Sequence, residues 1–414
     1  MKNLISKIQS LKKPSMPKMT FLRKQLDKVE PHFEKGGKLE KLYPLYDAID
    51  TFLFVPGTKT KNAPHVRDAI DLKRSMIFVV LALLPCLLFG IYNTGYQHNL
   101  LSNSSVSILN NIWIGVLTVI PIYIVTYSVG GLCEAIFATI RKHEINEGFL
   151  VTGMLIPLCL PPDIPLWMVG VATAFGIVIG KEIFGGTGFN IFNPALIARA
   201  FLFFSYPQYM SGDKIWVVQG GTDVDIITQA TPLGQLANNV PISDVGNNLG
   251  HTYSWFDMFV GFMPGSIGET STICILIGAL FLIATGIGSW RTMFGVLTGM
   301  LFMTLVLNYI VGPLIGQSNE MLFVGPHWHF VMGGFAFGMV FMATDPVSSA
   351  QTDKGRLYYG FLIGFMAILI RVLNPAYPEG MMLAILFSNA FAPMIDYYVV
   401  KSNIKRRQLR SVAK

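Results

Sequence analysis

Long apolar runs separated by short polar stretches dominate the chain from about residue 76 onward. Such runs predict membrane-spanning helices, because about 20 apolar residues in helical conformation match the hydrocarbon thickness of a bilayer. The runs 149–160 and 190–206 are too short to cross, which predicts half-helices that end inside the protein. We predict about ten apolar segments, at 76–97, 111–140, 149–160, 166–183, 190–206, 271–289, 292–314, 327–343, 357–373 and 380–400.

These segments divide into five before and five after a polar stretch at 207–253. The two halves would have opposite membrane orientations, and a faint internal similarity supports a repeat. The run FLVTGMLIPLCLPPDIP from Phe149 corresponds to FVMGGFAFGMVFMATDP from Phe330, and FNPALIARAF from Phe192 corresponds to SNAFAPMIDY from Ser388. We therefore predict an all-α integral membrane protein made of two inverted five-segment repeats with broken half-helices, and a site near the midplane.

Positive charge is concentrated at the two ends of the chain. Of 31 Lys and Arg residues, 16 lie in residues 1–75 and 6 in residues 401–414. This distribution places both termini in the cytoplasm by the positive-inside rule, so the formal charge of +7 does not indicate a nucleic-acid partner. The flanks are solvated or contact anionic lipid headgroups. The predicted organisation is a cytoplasmic extension, a first membrane repeat, an external loop, a second repeat and a basic cytoplasmic tail, at 1–75, 76–206, 207–253, 254–400 and 401–414.

Composition agrees with a membrane location and excludes some kinds of cofactor site. Hydrophobic residues make up 52% of the 414 residues and charged residues 13%. The four cysteines form no C-x-x-C pair, which argues against a disulfide framework and against an iron–sulfur cluster held by this chain. There is no G-x-G-x-x-G fingerprint, so nicotinamide chemistry belongs to other chains.

The stretch from Gly180 to Phe201, GKEIFGGTGFNIFNPALIARAF, is the clearest candidate for a binding site. Irregular backbone at membrane depth persists only where it is buried in protein or lines a cavity. Gly185 and Gly186 allow a ligand to approach the main chain closely, and Asn190 and Asn193 supply amide donors and acceptors.

Acidic residues within the apolar segments are a second candidate group. Glu134, Asp345 and Asp396 are costly at membrane depth and suggest an ion path. The alternative is that each carboxylate lies at the membrane interface and pairs with a nearby Lys or Arg, which for Asp345 would be Lys354. Glu182 next to Lys181 is interpreted as a loop ion pair of little energetic weight.

Two short motifs have simple structural explanations. His327 and His329 are interpreted as interfacial residues beside Trp328, because no further metal ligands are evident near them. The Thr231-Pro232 pair predicts a helix start, with Thr231 as N-cap and Gln235 near the capping-box position.

A longer motif around Thr231 carries a resemblance to a known family. The pattern D-x-x-T-x-A-T, formed by Asp225, Thr228, Ala230 and Thr231, resembles the site at which a flavin transferase esterifies FMN to the last threonine. Together with KHEINEGFLVTG, the Gly180–Phe201 stretch and FMATDPVSSA, it makes the whole chain similar to the B subunits of the bacterial Na+-translocating NADH:quinone oxidoreductases. The D subunits of the related Rnf complexes share the membrane part.

The resemblance implies a function and a set of cofactors. The chain would be one component of a six-subunit complex in the bacterial inner membrane that carries electrons from covalent FMN at Thr231 through non-covalent riboflavin to quinone and exports Na+. Gly185, Gly186, Thr187, Asn190 and Asn193 would hold the riboflavin. Gly130 and Gly131 would contact quinone, or they only allow close helix packing.

Two alternatives remain open from the sequence. An Rnf-type subunit would keep the covalent FMN but serve ferredoxin and NAD+ instead of quinone. A solute transporter built on the same inverted repeats would have no redox role, and would leave the motif from Asp225 to Thr231 unexplained.

Overall fold

A computed structural model of the chain describes most of the sequence after residue 71. The described residues are 26, 28–33, 43, 46, 72–101, 107–141, 148–212, 216–218, 230–247, 250–315, 319–375 and 377–412. Within these ranges the regular secondary structure is helical, with one isolated antiparallel bridge between Gly246 and Thr252. The predicted all-α class is confirmed for this part of the chain.

The chain forms two compact units, of which the smaller comprises Met1–Arg67 and Glu134–Asn146. Most of the cytoplasmic extension predicted for residues 1–75 lies outside the described residues. In the part that is described, Glu30–His32 forms one 3-10 turn. The rings of Phe33 and Tyr46 stack with their centroids 5.3 Å apart.

The larger unit comprises Asp68–Cys133 and Glu147–Lys414 and contains most of the membrane segments. Five helices of the described chain are long and apolar enough to cross a bilayer. The five helices are α1 (Leu72–Leu101), α2 (Ile108–Arg141), α10 (Trp290–Val306, continuing to Leu314), α14 (Asp353–Leu373) and α15 (Met381–Val412).

The other predicted segments are shorter or interrupted. They appear as α3 (Gly148–Leu158), α4 (Leu166–Ile177), α5 (Pro194–Ser205), α9 (Thr272–Ala284) and the pair α12 (Pro326–Val331) and α13 (Phe335–Phe337). The short helices predicted for 149–160 and 190–206 are therefore present, with 11 and 12 residues. Helix length alone does not confirm ten spans, and the inverted repeat stays a prediction.

Close packing in the second half depends on glycines at four-residue spacing. Gly295 and Gly299 of α10 face Gly360 and Gly364 of α14, and a Cβ atom at any of these positions would meet backbone atoms of the opposite helix. Small residues at this spacing bring helix backbones together in membranes, where dispersion contacts replace the hydrophobic effect as the driving force.

Two helices end in π-helical turns that lead into irregular loops. Helix α4 continues as Val178–Glu182, and α13 continues as Gly338–Met342. Gly185 and Gly186 follow the first of these turns with φ values of 125° and 97°. Side chains rarely adopt such angles, which explains why glycine occupies both positions.

The stretch at 207–253 holds short helices in its described part. These are α6 (Pro207–Met210) and α7 (Pro232–Ala237). Two further short helices lie outside this stretch, α8 (Trp255–Val260) and α11 (Gly312–Ile315). The basic tail predicted at 401–414 continues α15 as a helix to Val412.

Candidate functional site

The two loops that follow the π-helical turns meet at one cavity of about 90 Å³ in the larger unit. The first loop contributes Thr187, Asn190 and Asn193, and the second contributes Thr344 and Asp345. Apolar side chains complete the wall, among them Met76, Val79, Val151, Leu155, Leu282, Ile287 and Phe341. The structure thus brings part of the predicted flavin stretch together with one of the predicted ion-path carboxylates.

The two asparagines at this cavity also shape the loop that carries them. Asn193 is the N-cap of α5, and its side-chain oxygen accepts hydrogen bonds from Ala195 N at 3.0 Å and Leu196 N at 3.4 Å. Asn190 donates from its amide nitrogen to the Phe192 carbonyl at 3.0 Å. Both residues are buried. Their amides are therefore fixed in position before any ligand binds.

Thr187 is the polar residue of this loop whose hydrogen bonding is incomplete. Its hydroxyl oxygen is buried without a hydrogen-bond partner in the described structure, and the residue lines the cavity. A buried hydroxyl without a partner costs free energy, which a ligand with a matching polar atom would recover. Gly185 and Gly186 do not line the cavity; they shape the turn that places Thr187 there.

The interpretation of Lys181 and Glu182 as an ion pair in a loop is wrong. Both side chains are buried, at 4% and 3% exposure, in the π-helical turn that ends α4. Lys181 Nζ lies 3.9 Å from Glu182 Oε1, and Lys181 lines the cavity. The sequence missed this because two adjacent charges usually mark a solvated loop.

Asp345 does not pair with Lys354, contrary to the interfacial alternative. Its carboxylate accepts a hydrogen bond from the Ser348 hydroxyl at 2.6 Å and one from Val347 N at 3.3 Å. These bonds close a turn directly after the π-helical segment at Gly338–Met342. Asp345 also lines the cavity, and its role in an ion path stays a prediction.

Asp396, the second of these carboxylates, holds the loop that begins α14. Its two oxygens accept hydrogen bonds from Gln351 N at 2.6 Å, Thr352 N at 3.0 Å and the Thr352 hydroxyl at 2.5 Å. Thr352 is the N-cap of α14. Asp396 therefore has a structural task whatever its role in transport.

Glu134 is buried on α2, seven residues before that helix ends at Arg141. Its position on an apolar helix is the one expected from the sequence. It belongs to the smaller compact unit, whereas Asp345 and Asp396 belong to the larger one.

The Gly130-Gly131 pair on α2 is asymmetric in its packing. A Cβ atom at Gly130 would overlap the ring of Phe149 and the side chain of Ile177, whereas one at Gly131 would meet only Phe149, at 3.9 Å. Gly130 is therefore required for close packing. Gly131 is not, which leaves it open to a second role.

This asymmetry gives a test of the two hypotheses for the pair. We expect Gly130→Ala to destabilise the protein by about 1–3 kcal/mol, because the added methyl group overfills a packed contact. Gly131→Ala should leave the thermal midpoint unchanged. If Gly131 contacts quinone, Gly131→Ala will also raise the KM for quinone. If the KM is unchanged, helix packing alone explains the glycine pair.

Thr231 is the N-cap of α7, as predicted. Its hydroxyl accepts a hydrogen bond from Gly234 N at 3.1 Å and lies 3.5 Å from the Gly212 carbonyl, to which it donates. The predicted capping-box role of Gln235 is wrong. Its side-chain nitrogen donates to the Gly246 carbonyl at 2.8 Å, and its side-chain oxygen accepts from Gly246 N at 3.1 Å. Asp225 and Thr228 lie outside the described residues.

A buried charge cluster next to Thr231 was missed by the sequence analysis. Arg199 of α5 pairs with Glu269 at 2.6 Å and also with Glu379. Both carboxylates line a cavity of about 20 Å³ that Thr231 also lines. Arg199 and Glu269 are each 3% exposed. A lone arginine within the apolar run 190–206 was the available signal, since ionisable groups at membrane depth are rare.

A second buried arginine supports the break between α12 and α13. Arg371 of α14 donates to the carbonyls of His329, at 2.8 Å, and Met332, at 3.2 Å. These carbonyls lie where the helix is interrupted, so the guanidinium supplies the donors that a continuous helix would have supplied. His329 itself is buried inside the protein at 1% exposure, and its predicted position at the membrane interface stays a prediction.

The fold and the cavity define a class: a helical membrane protein whose interrupted segments meet at an internal polar site. Sequence comparison then gives the family. The sequence model of the NQR2, RnfD, RnfE family matches residues 59–405, and the chain belongs to this family.

Curated relatives resemble the chain along nearly its whole length. It is 51% identical to the B subunit of the Na(+)-translocating NADH-quinone reductase of Pseudomonas paraeruginosa, over 94% of this chain and 99% of that protein. Proteins of the same name from Chromohalobacter salexigens and Azotobacter vinelandii are 52% and 50% identical. The coverage is 95% of this chain and 97% of that protein for the first, and 94% and 100% for the second.

Proposed function

We propose that the chain is the membrane subunit of a Na+-pumping NADH:quinone oxidoreductase that carries electrons to quinone. The observation that supports this most directly is the identity of about half of all residues to proteins with that name over almost the full length. The chain would act within a six-subunit complex of the bacterial inner membrane, with both termini cytoplasmic. NADH oxidation would take place on other subunits.

The proposed architecture is ten membrane segments in two inverted repeats. Support comes from the five long helices and the shorter apolar helices between them. The breaks before α5 and after α13 lie at one cavity, as expected where interrupted segments of two repeats form a midplane site.

Thr231 is the proposed attachment point for FMN, added by a flavin transferase. Its oxygen accepts from Gly234 N, and an ester oxygen retains that ability because only the hydroxyl proton is lost. The adjoining cavity of about 20 Å³ is too small for a flavin ring. An attached ring would therefore lie outside it.

The cavity at Asn190 and Asn193 is the proposed riboflavin site. The unpartnered Thr187 hydroxyl and the fixed amides fit the polar edge of an isoalloxazine ring, and the apolar wall fits its other edge. The volume of about 90 Å³ is below that of ordinary ligand pockets, which start at about 300 Å³. Binding would therefore require a wall side chain such as Phe341 to move.

These flavins would supply the redox chemistry, and the chain's own residues would hold them and exclude water. Asp345 lies at the same cavity, so a carboxylate that attracts cations lies beside the proposed electron carrier. Glu134 and Asp396 are the other proposed ion-path residues, and Gly131 the better candidate of the glycine pair for quinone.

The proposal is tested with the assembled complex in sealed vesicles. NADH oxidation with added quinone should drive Na+ uptake when this chain is present, and both should stop when it is deleted and return when it is restored. Electron transfer between ferredoxin and NAD+ without quinone reduction would favour the Rnf-type alternative. A purified chain without flavin, made together with an active transferase, would favour the solute transporter.

A further inference from the structure

The cavity of about 20 Å³ beside Thr231 is lined by polar residues to which the proposed function gives no role. Two of them are the acidic residues Glu269 and Glu379, and two others carry hydroxyl groups, Ser266 and Thr270. Glu269, Ser266 and Thr270 are each at most 4% exposed. A space of this size has room for one water molecule or for one small ion without its shell of water.

The Ser266 hydroxyl is a buried polar group of this wall whose hydrogen bonding is incomplete. Its oxygen is enclosed and forms no hydrogen bond with any residue in the described part of the chain. The Glu269 carboxylate interacts with it electrostatically without forming such a bond. A buried hydroxyl in this state costs free energy, so the cavity favours an occupant that gives the Ser266 oxygen a polar or charged contact.

The two carboxylates lie between the cavity and a buried arginine. Both pair with Arg199, which does not itself line the cavity. The second buried arginine, Arg371, donates to the carbonyls of His329 and Met332 and does not line the cavity either. Two arginines and two glutamates carry no net charge, so a further cation is not needed for neutrality and would be held weakly. Weak binding suits a site on a transport path, because the ion must also leave.

The chemistry of the wall suits a monovalent cation better than a divalent one. Carboxylate and hydroxyl oxygens are ligands that hard cations prefer. In the described ranges, no three His, Cys, Asp or Glu side chains converge in the way that a tightly held divalent metal needs. A divalent ion that keeps several water ligands would also be too large for a cavity of about 20 Å³.

We propose that this cavity is a weak binding site for the monovalent cation that the complex transports, with Ser266, Thr270 and the two carboxylates as its oxygen ligands. The inference rests on the proposed Na+ transport and names one place on its path. The site is distinct from the cavity at Asp345, with which it shares no described lining residue.

The test uses the assembled complex, with NaCl replaced stepwise by KCl at constant ionic strength. Ser266→Ala and Thr270→Val each remove one hydroxyl from the cavity and leave the ion pairs of Arg199 intact. Ser388→Ala is the matched control, because its hydroxyl is also buried without a hydrogen-bond partner in the described structure but does not line the cavity. Two quantities are measured: the KM for Na+ of quinone reduction by NADH, and the difference between the thermal midpoints in NaCl and in KCl.

For Ser266→Ala we expect the KM for Na+ to rise about tenfold, because a polar contact to a charged partner is lost. The extra stability in NaCl over KCl should shrink as well, since an ion that binds only the folded protein stabilises it in proportion to its affinity. Thr270→Val should change both quantities in the same direction, and either variant alone suffices for the test. Ser388→Ala should change neither.

A cavity that holds only water would give a different result. Ser266→Ala would then shift the thermal midpoint equally in NaCl and in KCl and leave the KM for Na+ unchanged, which would overturn the inference. An equal rise of that KM in Ser388→Ala would also overturn it, because the effect would then come from general loosening of the protein. A parent complex that reduces quinone without taking up Na+ would instead contradict the proposed function.

Discussion

Replacing Thr231 with alanine is expected to abolish covalent flavin on this chain. The substitution removes the only oxygen that a phosphoester at this position can use, so flavin fluorescence of the denatured chain in a gel should fall to background. The chain itself should persist, because the lost N-cap hydrogen bond to Gly234 N costs about 1 kcal/mol in a helix of 6 residues. The measurement requires expression together with an active flavin transferase.

Two variants make this result specific. Thr231→Ser keeps a hydroxyl that can both cap α7 and accept the flavin, so some fluorescence should remain. Thr252→Ala removes a threonine of the same polar region, opposite Gly246 in the isolated bridge, and should leave fluorescence unchanged. A band of parental brightness in Thr231→Ala would show that the flavin is attached elsewhere or not covalently.

Replacing Arg199 with methionine is expected to give the largest loss of stability. The change leaves Glu269 buried, and Glu379 largely buried, without their shared cation. Removing one partner of a buried ion pair costs about 3–5 kcal/mol, because the remaining charge stays desolvated. The thermal midpoint of the purified protein in detergent should fall clearly, and the yield of folded chain should fall with it.

An exposed ion pair supplies the matched control. Arg291 pairs with Asp353 at 2.9 Å, with side chains that are 35% and 67% exposed, so Arg291→Met should cost about 0–1 kcal/mol. Adding Glu269→Gln and Glu379→Gln to Arg199→Met should recover part of the lost stability, since no uncompensated charge remains. If Arg199→Met were as stable as Arg291→Met, the cluster would not support the fold.

The sequence predicted the helices well, because their signal is local. Apolar runs of sufficient length specify α1, α2, α10 and α14 within a few residues, whereas α15 continues 12 residues beyond the apolar run predicted at 380–400. Thr231 was identified correctly as an N-cap, since an N-cap depends on neighbours only three positions away. Asn193, the N-cap of α5, was predicted only as a ligand contact.

The site was predicted only in part, because it depends on residues far apart in the chain. Thr187 and Asp345 line one cavity although more than 150 positions separate them, and no local pattern indicates that proximity. Arg199, Glu269 and Glu379 were missed for the same reason. Arg199 and Arg371 lie in apolar runs like those of the acidic candidates, and an arginine at membrane depth is as rare as a carboxylate there.

The continuity of α15 beyond the apolar part of the chain has a mechanical consequence. The residues from Lys401 to Val412 are the last 12 of its 32 residues and extend about 18 Å as one rod. From Lys401 to Ser411 they are exposed, except for the half-buried Asn403. A tilt of the membrane part about Pro393 would sweep the far end through a larger arc than the membrane part itself. A spectroscopic probe at Arg407 would therefore act as a lever arm that magnifies small rotations of α15 during turnover.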